Sequence, residues 1–198
     1  MNPVPTLVTE SADRLGREKW PGRKFVFEIP SSRLPYILER LGGTAARIDE
    51  KVRGVGAADL TRRVGRTWSA QENIGHLIDL EELHLARLDD LNAGLATLRA
   101  ADMTNRKTWE ANHNATPISA LINELRKGRR TLIERIVAWD PARLETSAVH
   151  PRLGVPMRLV DLAYFIAEHD DYHLARVDEL LKMFRAESGA GSTDQSPL

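Results

Sequence analysis

The chain has 198 residues, 42% hydrophobic and 28% charged, which suits one globular domain with a core of its own and some additional segments. Lysine plus arginine equals aspartate plus glutamate, at 28 each, so no net charge draws in nucleic acid or an anionic membrane. Cysteine is absent, which excludes disulfides, thiolate metal sites and cysteine nucleophiles. Any transition-metal site must use histidine nitrogen and carboxylate oxygen.

Residues 1–30 lack strong helical periodicity, and Pro3, Pro5, Pro21 and Pro30 punctuate them. Lys24 to Ile29 can form a short extended segment, and the region is expected to be an extension packing on the domain that follows. The start has neither the basic nor the apolar stretch of a secretion signal, and no run of about 18 apolar residues is present. A cytoplasmic protein without membrane contact is the expectation.

Residues 31–184 read as a bundle. Leu34, Ile37, Leu38, Leu41, Ala45 and Ile48 recur at helical steps and predict a first helix over 32–53, weakened at Gly42-Gly43 and stopped by Gly54 and Gly56. Ser69 and Glu72 make a capping box that opens a second helix, whose stripe of Ile74, Leu77, Ile78, Leu85, Leu88 and Leu91 runs to Gly94. Residues 94–115 form a long polar connection containing Trp109 and His113, long enough to cross the bundle and leave the second and third helices parallel. Thr116-Pro117 starts a third helix and Asp140-Pro141 ends it. A fourth runs from about Pro156 to Phe184, and the Gly/Ser-rich tail, 185–198, is expected to be disordered. Four long helices without a convincing strand pattern predict an all-α four-helix bundle.

Six histidines are present, at 76, 84, 113, 150, 169 and 173. His169 and His173 stand one helical turn apart, within the apolar arc of Leu159, Leu162, Ile166, Val177 and Leu180. Two imidazoles in a core need partners, and one metal ion would satisfy both, as would carbonyls or carboxylates of neighbouring helices. A third ligand must come from another helix. The apolar arc of the second helix favours His84 slightly, with His76 at its edge.

The segment Trp68-Ser69-Ala70-Gln71-Glu72-Asn73-Ile74-Gly75-His76-Leu77 resembles the second-helix signature of the DinB-like (YfiT-like) superfamily, a family regarded as metal-dependent hydrolases. His150-Pro151-Arg152-Leu153-Gly154 and Glu168-His169-Asp170-Asp171-Tyr172-His173 resemble its last loop and its HxxxH helix. The likeness covers roughly residues 30–184. It implies a bundle with a crossover between helices 2 and 3, and one metal ion on His76, His169 and His173, with His84 a structural or outer residue. It also implies relatives that are thiol-dependent transferases and isomerases, and a homodimer.

Three histidines with an open position suit a catalytic divalent ion, zinc or nickel, that activates water or a thiol. The expected substrate is a small molecule, with a low-molecular-weight thiol as possible co-substrate. Asp170 and His150 are the candidate catalytic residues, the first as a group orienting a neighbour, the second as a loop histidine facing the metal cavity. Glu72 is read as a cap, Arg176 as a surface ion pair, Trp68 as a core anchor and Tyr172 as a surface or interface residue. Two rivals remain: a ferritin-like two-metal bundle built on Glu81-x-x-His84, and a non-catalytic bundle that binds a metal or a partner.

Overall fold

The computed structural model describes residues 17–190. The expected first helix is two, α1 (Leu34–Gly42) and α2 (Thr44–Val52), broken at Gly43, and a short α3 (Ala57–Thr61) follows. The second is α4 (Ala70–Asp79) and α5 (Glu81–Asn92), broken at Leu80. Ser69 Oγ accepts from the Glu72 amide while the Glu72 carboxylate accepts from the Ser69 amide, the capping box read in the sequence. Gly94, at φ +69, closes α5 as expected. The connection carries α6 (Arg106–Glu110) and a 3-10 turn at His113–Ala115. The third helix is α7 (Ile118–Val137) and the fourth is α8 (Leu159–Ala190).

Two expectations need correction. A hairpin of β1 (Ala148–His150) and β2 (Val155–Met157) precedes α8. Three-residue strands, the first followed by Pro151 and the second containing Pro156, are too short to show alternation, and Pro156 belongs to β2 rather than to the last helix. The tail expected to be disordered from 185 is helical to Ala190; residues 191–198, like 1–16, lie outside the described part.

Contacts between helices reveal their directions. Gln71 bonds the His113 and Thr116 carbonyls at the start of α7, Glu81 meets Arg129, and Asp89 meets Arg135. These pairs ascend together, so α4–α5 and α7 are parallel, as the long crossover predicts. Arg40 with Asp171 and Lys51 with Asp178 make α1–α2 parallel to α8. Arg62, just before α4, meets Glu187 and Asn73 reaches His173, whereas Leu88 clusters with Leu162 and Ile166, so α4–α5 and α8 are antiparallel. The bundle therefore runs up, down, down, up.

Its apolar core is split in two. One cluster holds Leu41, Leu88, Leu132, Leu162 and Ile166; the other holds Ile48, Ile74, Leu125, Val177 and Leu180. Between them lies a layer of buried polar groups with a member from every bundle position: Thr44, Glu81, His84, Arg129 and Asp170. Arg129 donates to Asp170 at 3.0 Å and stands 3.1 Å from Glu81; Thr44 donates to Asp170 at 2.7 Å. Gly128 makes room for this layer, since a Cβ there would come within 2.9 Å of Glu81 Cγ. Residues 17–30 form no strand: Trp20, Phe25, Phe27 and Ile29 pack along the first cluster.

Candidate metal centre

His76 on α4 meets His169 and His173 on α8 at the wall of a cavity of about 560 Å³. One ring nitrogen from each lies within 4.8 Å of the others, and this is the single such group of three histidine or acidic residues among the described residues. Among the described residues Glu81 and His84 belong to no second group of this kind.

The hydrogen bonds dictate the tautomers. Asn73 Nδ2 donates to the Ser69 carbonyl, so Asn73 Oδ1 is the atom that faces His173 Nδ1, 2.9 Å away. An amide oxygen only accepts, hence His173 carries its proton on Nδ1 and a lone pair on Nε2. Thr108 Oγ1 donates to Asp79 Oδ2 at 2.8 Å and thus accepts from His76 Nδ1 at 2.9 Å. His76 Nε2 is left with a lone pair as well. Asp79 Oδ2 also takes the Nε2 proton of His113 at 2.9 Å. A carboxylate–hydroxyl–imidazole chain therefore runs from the crossover to His76.

The three rings fit a divalent ion. Two nitrogens each about 2.1 Å from one ion stand roughly 3.0–3.5 Å apart, and His169 Nε2 lies 3.2 Å from His173 Nε2. His169 Nδ1 is buried with no protein partner. Burial depresses the proton affinity of all three rings, His76 to about 4, so they are neutral and ready to ligate at pH 7.

Trp20 covers His169, with ring centroids 4.8 Å apart, and Trp68 lies 4.7 Å from His76. Trp68 is thus a wall of the cavity rather than a plain core anchor, and its Nε1 is buried without a partner. Tyr172 is half-buried and lines the cavity, beneath the Arg17 guanidinium. Arg176 pairs with Glu179 as expected and lines the cavity besides. Glu72 serves its cap and pairs with Arg63. His84 shares the lining with the triad but stays outside the metal group, its Nδ1 unpartnered.

Neither candidate catalytic residue lines the cavity. Asp170 is turned away from the cavity toward Thr44 and Arg129, which hold it. His150 sits behind Phe165, its ring 4.9 Å away; Nδ1 accepts from the Leu153 amide and Nε2 has no partner. The residues that sequence reasoning missed are Trp20, Asn73, Asp79 and Thr108. Asn73 carried a faint signal, one turn before His76; Thr108 and Asp79 lie 29 residues apart and carried none.

Five buried histidines, 76, 84, 150, 169 and 173, have depressed proton affinity, with burial the largest cause in each. The unfolded chain protonates them near pH 6.5, while folded His76 and His150 resist to about 4. Their stabilisation is complete above pH 6.5 and is lost as pH falls toward 4. Glu81, raised to about 7 by burial, and Asp170, also raised, act in the opposite sense but are two groups against five. Metal-free protein is expected to unfold in less urea at pH 5 than at pH 7, by up to about 1.4 kcal/mol per pH unit per histidine. A midpoint that holds or rises on acidification would mean that the rings are already charged in the folded chain.

The fold and site define a crossover bundle with a three-histidine cavity. The DinB superfamily profile matches residues 40–177, and the chain belongs to that superfamily. The fold is similar to that of YfiT from Bacillus subtilis, described as a probable metal-dependent hydrolase with an unusual four-helix bundle topology. That match is 16% identical, with a TM-score of 0.70, over 82% of this chain and 93% of that one. The mycothiol-dependent maleylpyruvate isomerase is similar at 12% identity and a TM-score of 0.59, over 77% of this chain and 62% of the isomerase. Among proteins of curated function, none matches the sequence. No helix among the described residues is long and apolar enough to cross a membrane.

Proposed function

We propose that the chain is a metal-dependent enzyme in which His76, His169 and His173 hold one divalent ion, zinc or nickel, beside a small-molecule site. The observation that carries this reading is the convergence of three neutral imidazoles, two with tautomers set by Asn73 and Thr108, on the wall of an open cavity. A bound ion there would supply Lewis acidity to water or to a thiol. Both outcomes have a counterpart: YfiT is described as a probable hydrolase, and the isomerase depends on mycothiol.

The protein groups do the holding. Asn73 keeps the His173 ring turned so that Nε2 faces its partners, and the Asp79–Thr108 chain does the same for His76. Trp20 packs on His169 and Trp68 on His76, and Phe165 lines the same cavity. Thr108→Val removes the acceptor for His76 Nδ1 while keeping the shape of the side chain. It is expected to weaken metal affinity about ten- to hundredfold, read by competition with a chromophoric chelator. Unchanged affinity would show that the chain does not orient the ligand.

The reading is tested with protein as purified, stripped by chelator, and reloaded with Zn²⁺ or Ni²⁺. Each form is assayed on nitrophenyl esters and on conjugation of an electrophilic arene to a low-molecular-weight thiol. Turnover that disappears on stripping and returns on reloading is expected. A tightly held ion without turnover in either assay would favour a non-catalytic metal-binding bundle. Failure to hold any ion would make the triad a set of core histidines. The expected homodimer is a separate question, which the mass of the purified protein in solution addresses.

A further inference from the structure

Four arginines line the cavity beside the histidines, and they fall into two kinds. Arg17 and Arg176 share the carboxylate of Glu179. Arg87 and Arg152 form no ion pair with any described residue. Arg87 is 3% exposed, and its one hydrogen bond goes from Nε to the Arg99 carbonyl at 3.0 Å. Arg152 donates through Nη1 to the Pro21 carbonyl at 3.1 Å, and its Nη2 is buried with no partner.

A buried guanidinium without a carboxylate is costly, and this chain pairs others: Arg129 has Asp170, Arg158 has Asp161. Asp90, the acid whose charge acts on Arg87, is gripped through both oxygens by Arg99. Asp102, the single acid among the lining residues, bonds the Thr104 hydroxyl and the Thr104 and Arg106 amides. Arg87 and Arg152 line the same cavity, and burial first, then the charge of Arg152, hold Arg87 down to about 10 against the opposing pull of Asp90.

We infer that Arg87 and Arg152 together bind a carboxylate of the substrate, so that the small molecule handled at the three-histidine centre is an organic acid. The inference rests on the proposed function for its link to the metal. No lysine lines the cavity; the positive charge is carried by planar forks, which match a planar carboxylate through paired hydrogen bonds. Trp20, Trp68 and Phe165 supply apolar walls for the body of such a molecule.

The test titrates full-length protein, as purified and after metal removal, with benzoate, its neutral amide benzamide, and inorganic phosphate, following tryptophan fluorescence. In the stripped protein benzoate is expected to bind at least about tenfold more tightly than benzamide and than phosphate. Arg152→Gln and Arg87→Gln are each expected to weaken benzoate by about tenfold while leaving benzamide unchanged. Arg152 is only half-buried, so its variant carries the test if Arg87→Gln does not fold. Equal binding of benzoate and benzamide, tighter binding of phosphate, or variants that hold benzoate as well as wild type would overturn the inference. Because selection is read without metal, its failure is separable from that of the enzyme reading. A chain that takes up no ion yet prefers benzoate loses the proposed function and keeps the carboxylate site.

Discussion

His173→Ala is expected to lower the metal content from about one ion per chain to near zero, measured by elemental analysis of untagged protein. The ring it removes has its Nδ1 proton committed to Asn73 and its Nε2 set 3.2 Å from His169 Nε2. Two imidazoles on separate helices remain, and the loss exceeds the ten- to hundredfold expected for an outer partner such as Thr108. The contrast is His84→Ala. His84 lines the same cavity and satisfies the sequence pattern better than His76, yet it lies outside the ligand group, so its alanine variant keeps about one ion. The opposite ranking, with His84→Ala losing the ion and His76→Ala retaining it, would move the centre to the other end of the helix break.

The second large effect concerns the polar layer. Arg129→Leu is expected to destabilise the protein by about 3–5 kcal/mol, a fall in Tm on the order of 10 °C. The guanidinium is 2% exposed and is the counter-charge of Asp170, which is wholly buried. Removing it strands a carboxylate between two apolar clusters. The cost lies in the stranded charge rather than in a net gain from the pair, so Arg129→Leu combined with Asp170→Asn and Glu81→Gln is expected to recover much of it. Calorimetry of stripped protein separates this from any contribution of metal. A single variant within about 1 kcal/mol of wild type would mean that water reaches the layer.

The layer also explains why Asp170 misled the sequence reading. It adjoins His169 in the chain, which invites a role toward that ring. One residue along a helix is a turn of about 100°, so the neighbour of a cavity-facing histidine faces another helix. Here that helix presents Thr44, with Arg129 alongside. His150 misled in a different way: its loop does approach the site, but Phe165 stands in front of it.

Local patterns determined a good deal by themselves. The capping box, the glycine stop of α5 and the pairing of His169 with His173 all depend on neighbours within one or two helical turns, where spacing alone sets the geometry. The position of His76 is of another kind. His76 and His84 sit eight residues apart, about 80° around an unbroken helix, and both can face a cavity. Which one supplies the third nitrogen depends on the break at Leu80, on the depth at which α4 lies against α8, and on the crossover that brings Thr108 to His76 Nδ1. Gly75 permits that last approach, since a Cβ there would strike the His113 ring at 2.2 Å. The cavity's cover, Trp20, comes from a segment without periodicity, and its unpaired arginines, Arg87 and Arg152, come from α5 and the hairpin turn. Such groups are joined only through space, and the free energy that joins them is tertiary burial, for which chain spacing has no signature.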